Sequence, residues 1–161
     1  MKKLMLFVVI SFFVLAVHAQ ESLIPADVTF KDQTKNIIYG NVEYYLLGGA
    51  AAISYERYLF STKKIDFAVR GTYGRWAAGL FGMEYGSLYK LTGNMLFFNG
   101  KHHLEVDLGA NMLVNDNNAG IESVIPDLFC GYTFKKPDGH FVFKAGIGFV
   151  GFLSFGMGYA F

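Results

Sequence analysis

The chain has 161 residues, 17% of them charged and 17% aromatic, with 19 glycines, 3 prolines and a formal net charge of +1. So little charge, so nearly balanced, gives no basic surface for nucleic acid and falls below the roughly 25% of ordinary soluble domains. The single cysteine, Cys130, excludes an internal disulfide framework, and no Cys/His group has structural-zinc spacing.

Lys2 and Lys3 precede an apolar run, Leu4 to Val17, which ends at the small-x-small site Val17-His18-Ala19. At about 14 residues the run is short for a membrane anchor, so residues 1–19 read as a cleavable signal peptide. No cysteine follows the site, which speaks against a lipoprotein. Without the two leader lysines the chain carries twelve basic residues against thirteen acidic ones. No later apolar run reaches the length of a transmembrane helix, about 18 residues. An exported, apolar, glycine- and aromatic-rich chain can still satisfy its backbone in lipid as a closed β-barrel.

Residues 20–36 are polar, contain Pro25 and show little periodicity; they read as a periplasmic N-terminal tail. Residues 37–161 read as the barrel. The first strand is expected at 37–47, with Ile38, Val42, Tyr44 and Leu46 on one face and Asn41 and Glu43 on the other. Gly48-Gly49 is the expected hairpin turn. The second strand is expected at 51–60. The third, 64–74, alternates most clearly: Ile65, Phe67, Val69 and Tyr73 against Asp66, Arg70 and Thr72. Arg75 to Gly82 reads as a loop holding Trp76.

A fourth strand is expected within 83–98, bent or bulged at Gly86 or Gly93. Asn99-Gly100-Lys101 is a turn. The fifth strand, 102–114, sets Leu104, Val106, Leu108, Ala110 and Met112 against Glu105, Asp107 and Asn111. Asn115 to Ser123 is the most polar loop. The sixth strand is expected at 124–134, with Pro126 close to its end. Lys136-Pro137-Asp138-Gly139 is a turn, and strands at 140–149 and 152–161 complete an even count of eight. The fold class expected is therefore all-β, an eight-stranded antiparallel transmembrane β-barrel. The turns after strands two, four and six would be periplasmic.

These features resemble the small eight-stranded outer-membrane barrels of Gram-negative bacteria, nearest to an uncharacterised group common in Bacteroidetes-type bacteria. The residues carrying the likeness are Ile53-Ser54-Tyr55-Glu56-Arg57-Tyr58, the stretch from Leu96 to Glu105, Phe143-Lys144-Ala145-Gly146 and the terminal Gly158-Tyr159-Ala160-Phe161. The resemblance implies an outer-membrane location and a barrel fold, and no reaction. It also implies that alternating Phe155, Met157, Tyr159 and Phe161 form the C-terminal signal read by the barrel-assembly machinery; anchoring an aromatic girdle is the simpler role for Phe161.

Alternation directs Glu43, Glu56, Asp66, Arg70, Glu84, Lys90, Glu105, Asp107 and Lys144 into the lumen. Eight strands enclose a space just wide enough for side chains to fill, so a salt-bridged plug is expected rather than a polar pore. His102 and His103 fall on opposite faces and are poorly placed to share a metal. Cys130 falls on the outer face as a small apolar residue. The tyrosines and Trp76 fit interfacial girdles better than a stacking site.

A structural or surface-interaction protein with no catalytic centre and no cofactor is the expectation. Membrane lipid, lipopolysaccharide and the assembly machinery would be its partners, and it would be a monomer. The loops at 75–82 and 115–123 would be its contact surface. A lipid-A acyl hydrolase or transferase is the alternative, but no His has a Ser two residues away to start a Ser/His/acid triad. A narrow solute or ion pore is a third possibility, and a soluble barrel with its apolar face inward a fourth.

Overall fold

Period-two alternation becomes eight antiparallel strands in the computed structural model, which describes residues 36–62, 65–79, 84–98, 100–116, 121–136 and 139–161. The strands are β1 (Asn36–Tyr45), β2 (Gly48–Ser61), β3 (Ile65–Ala78), β4 (Glu84–Phe97), β5 (His102–Asn115), β6 (Ile121–Lys135), β7 (Phe141–Gly148) and β8 (Leu153–Ala160). Each pairs with its neighbour in sequence, and β1 pairs with β8 from Ile37↔Ala160 to Tyr44↔Leu153, closing the barrel. Closure leaves no long sheet edge between the first and last strands. Reciprocal backbone hydrogen bonds of 3.0 and 2.9 Å between Asn36 and Phe161 complete that seam. The expected signal peptide and all of the expected tail but Asn36 lie outside the described residues. Asn36 itself opens β1.

Several boundaries differ from those expected. The first hairpin turns at Leu46-Leu47, and Gly48 and Gly49 pair with Tyr45 and Tyr44 inside β2. Their glycines serve close strand approach instead. A Cβ on Gly48 would lie 2.0 Å from the Ala77 carbonyl oxygen, and one on Gly49 2.9 Å from that of Glu43. Because β2 starts early, β3 runs on through Arg75 and Trp76, which pair with Ala51 and Ala50. Neither Gly86 nor Gly93 shifts the ladder of β4; the irregularities lie at Tyr58/Phe60 and Leu113/Val114. Gly86 instead leaves room for an indole, since a Cβ there would lie 2.5 Å from Trp76 Nε1. β6 begins at Ile121, so Pro126 sits well inside it.

The two faces of the wall are chemically opposite. Outward-facing Ile38, Val42, Ile53, Tyr73, Leu91, Leu108, Leu128, Ile147, Phe155 and Met157 are all exposed, and they come from all eight strands. Fully buried in their place are Glu56, Glu105, Asp107, Asn94, Asn111, Thr133 and Ser54. A barrel folding in water buries the first set and exposes the second.

Two apolar clusters sit at the ends of the interior. Ile37, Tyr39, Tyr58, Ala68, Leu96, Val142 and Ala160 pack at the end carrying Asn36 and Phe161. Ala50, Ala52, Trp76 and Leu88 pack at the other, against Tyr45, Ala78 and Leu113. Most of the buried charge lies between them; Asp66 and Lys135 are buried at the Asn36 end, with Lys135 over the Tyr58 ring.

Candidate functional site

The strand register brings the central charges together. Glu56 on β2 lies directly opposite Arg70 on β3, Asn94 on β4 opposite Asp107 on β5, and Thr133 on β6 opposite Lys144 on β7. All six side chains point inward. Arg70 donates from Nε and Nη2 to Glu56 Oε2 at 3.0 and 2.7 Å, and from Nη1 to Asp107 Oδ2 at 2.6 Å. Its Nη2 also donates to Glu105. Lys144 Nζ, arriving from the opposite wall, reaches Glu56 Oε2 at 2.7 Å and Glu105 Oε2 at 2.8 Å. Asn94 donates to Asp107 at 2.8 Å, and the Thr133 hydroxyl donates to Glu105.

Two cations and three carboxylates thus form one network bridging β2, β3, β5 and β7. The guanidinium of Arg70 and the ammonium of Lys144 lie 5.3 and 5.2 Å from the centre of the Tyr39 ring, a cation–π arrangement. Room for that ring comes from β8. Its inward positions are Ser154, Gly156, Gly158 and Ala160; a Cβ on Gly156 would lie 3.0 Å from Tyr39 Cδ2, and one on Gly158 2.2 Å from Tyr39 Cβ. Burying ions is costly, and a network this closely paired offsets that cost only while every member is present.

A second charged group lies nearer the Trp76 end. Lys90 Nζ donates to Glu43 Oε1 and Oε2 at 2.7 and 2.8 Å and lies 3.5 Å from Asp127. Tyr45 and Asn41 also donate to Glu43, at 3.0 and 3.3 Å. Between the two groups is a cavity of about 40 Å³, lined by Glu43, Lys90, Asp107, Asp127, Arg70 and small residues of β7 and β8. That is room for water and not for an organic solute.

Of the nine residues expected in the lumen, Glu43, Glu56, Asp66, Arg70, Lys90, Glu105, Asp107 and Lys144 point inward, and all of these but Asp66 belong to the two groups. Asp66 is buried at the Asn36 end, beyond Glu56. Glu84 is not with them: it is exposed at the first position of β4, past the last inward layer. Asp127 belongs to the set and is missing from the expected inward residues, although it falls within the strand expected at 124–134. The alternation Asp127, Phe129, Gly131, Thr133, Lys135 against Leu128, Cys130, Tyr132, Phe134 is the signal that finds it.

Phe155, Met157, Tyr159 and Phe161 all face outward and are about half exposed. His102 is exposed and hydrogen-bonds Tyr132, while His103 is buried on the opposite face. Of the serines, Ser54 bonds Asn41 and Thr72, and Ser87 accepts from Arg75. No serine–histidine hydrogen bond occurs among the described residues. Arg75 also pairs with Asp116, tying the strand end at 75–78 to the start of the polar loop after β5.

No known family model matches the chain, and neither a curated protein nor a solved structure shows significant similarity to it.

Proposed function

We propose that this chain is an outer-membrane β-barrel of a Gram-negative bacterium, exported through the signal peptide at 1–19. Its role is structural or surface-interacting, and its lumen is locked by side chains. The observation that carries this reading is the inversion of the wall. Apolar side chains point outward on every strand, and an ion network fills the inside. In water such an arrangement exposes a continuous apolar girdle far larger than soluble monomers carry. In a bilayer both faces are satisfied, and the closed ladder leaves few backbone groups to lipid.

Aromatic residues support the same reading. Tyr44, Tyr73, Tyr85, Tyr89 and Phe149 ring one end, and Tyr132, Phe141, Tyr159 and Phe161 ring the other, all outward and exposed. Amphipathic rings favour the two interfaces of a membrane. With the even strand count, the end bearing Asn36 and Phe161 faces the periplasm. The Arg75–Asp116 end then faces outward and offers the contact surface.

The test is fractionation of expressing cells, with gel mobility before and after boiling. Outer-membrane recovery and a heat-dependent shift are expected. Recovery in the soluble periplasm with no shift overturns the reading.

A further inference from the structure

β7 and β8 are 8 residues long, whereas β2 to β5 have 14 and β6 has 15. The pairing of β6 with β7 therefore stops at Phe129↔Gly148. Among the described residues, β6 from Ile121 to Asp127 pairs with β5 alone.

Which backbone groups are left facing the gap follows from parity. The Lys135 N–H donates to Lys101, on the β5 side, while the Leu128 carbonyl accepts from Phe149 N–H, on the β7 side. Successive residues of an antiparallel strand turn their N–H and C=O to alternate neighbours. Val124 and Pro126, of the same parity as Leu128, thus turn theirs to the side that has no strand. Pro126 brings no N–H, so the lowest unpaired position lacks the donor that would otherwise face the gap. A proline there also keeps another strand from adding to the edge.

Unpaired backbone cannot stand in hydrocarbon, where each such group costs several kcal/mol. The register says where it stands. Val124 is in the ladder row of Met112, Tyr89 and Tyr73, whose two tyrosine rings lie 5.2 Å apart on the outer surface; because the strands tilt, that row climbs away from the Asn36 end from β3 to β6, so Val124 stands further out than either tyrosine. One row further out are Arg75, Ser87 and Val114, where surface charge begins.

We propose that the edge of β6 beyond Leu128 stands in the polar headgroup layer and hydrogen-bonds lipid headgroups. The hydrocarbon boundary on this flank then follows the tip of the short β7–β8 hairpin rather than the ends of the long strands. Exposed Phe149 and Phe152 at that tip are the residues that meet the boundary. The proposal rests on the membrane reading above.

Its test is depth-resolved quenching of a fluorophore on single cysteines, in a Cys130→Ala background refolded into phosphatidylcholine vesicles. Heat-modifiable protein alone is counted. Leu108→Cys reports the wall, Ile147→Cys the wall just inside the hairpin tip, and Val124→Cys the edge. The Val124 label should be quenched several-fold more by aqueous iodide, and by a nitroxide on the lipid headgroup, than the other two. Those two should respond to bromines on the acyl chains. A Val124 label that follows the acyl bromines like Leu108, or that is shielded from every quencher as under a second copy, overturns the proposal. Iodide quenching at Leu108 and Ile147 overturns the membrane reading instead.

Discussion

The two charged groups in the lumen are built from the same residue types and differ in what surrounds them. Around Arg70 the two glutamates are sealed. Glu56 and Glu105 are wholly buried, the apolar cluster at the Asn36 end lies below, and Tyr39 fills the space between the cations. Around Lys90 the packing is looser. The 40 Å³ cavity touches every member of this group, Lys90, Glu43 and Asp127, whereas of the central network it reaches Arg70, Asp107 and Lys144 but not Glu56 or Glu105; Gly148, Gly151 and Gly156 stand where larger side chains would otherwise close it. Pairing alone does not set the worth of an ion pair; access to water decides how much is lost when one partner goes. The Arg75–Asp116 pair on the outer end, with side chains about half exposed, is the limiting case.

The sharpest way to break this comparison is Arg70→Ala. It leaves three buried carboxylates sharing Lys144, and should cost about 3–5 kcal/mol, the usual penalty for an uncompensated buried charge. Urea titration of the heat-modifiable band reads it; a loss no larger than that of Lys90→Ala would mean that the central layer is hydrated. Next in size is Leu108→Arg on the outer face. Near the bilayer midplane it should cost about 2–4 kcal/mol. An unchanged midpoint there would place that face in water.

Gly158→Val tests the small-residue lining of β8. Its Cβ would lie 2.2 Å from Tyr39 Cβ and 2.3 Å from the Ile38 carbonyl oxygen, so overpacking of about 1–3 kcal/mol is expected, and Tyr39→Ala, which keeps that Cβ, should not relieve it. Lys90→Ala should fall at or below that, about 1–3 kcal/mol, because water from the cavity can reach the stranded Glu43. Arg75→Ala should leave the unfolding midpoint unmoved, as exposed pairs contribute little. A cost for Arg75→Ala matching that of Lys90→Ala would refute the ordering by water access.

Strand number, strand faces and the inward charges were legible because a strand repeats every two residues. Ile65 to Tyr73 and Leu104 to Met112 state both faces outright. Glycine was misread where its purpose lay across the sheet. Gly48 and Gly86 make way for a neighbouring backbone and for the Trp76 indole, and neither neighbour is near in sequence. Pro126 misled for the same reason. Its position suits a strand whose partner has stopped, and the length of β7 is what stops it.

By itself, the sequence determined that this chain is an alternating, two-faced β protein with eight strands and a charged side. Periodicity is local, and each strand carries it independently. Only the tertiary structure decided which charges meet. Glu56 and Lys144 are 88 residues apart, and a hydrogen bond of 2.7 Å joins them because closing β1 on β8 brings β7 round to within reach of β2. Closure also decided that the ions divide into a sealed layer and a wetter one, since that depends on how far β7 and β8 extend beside their longer neighbours.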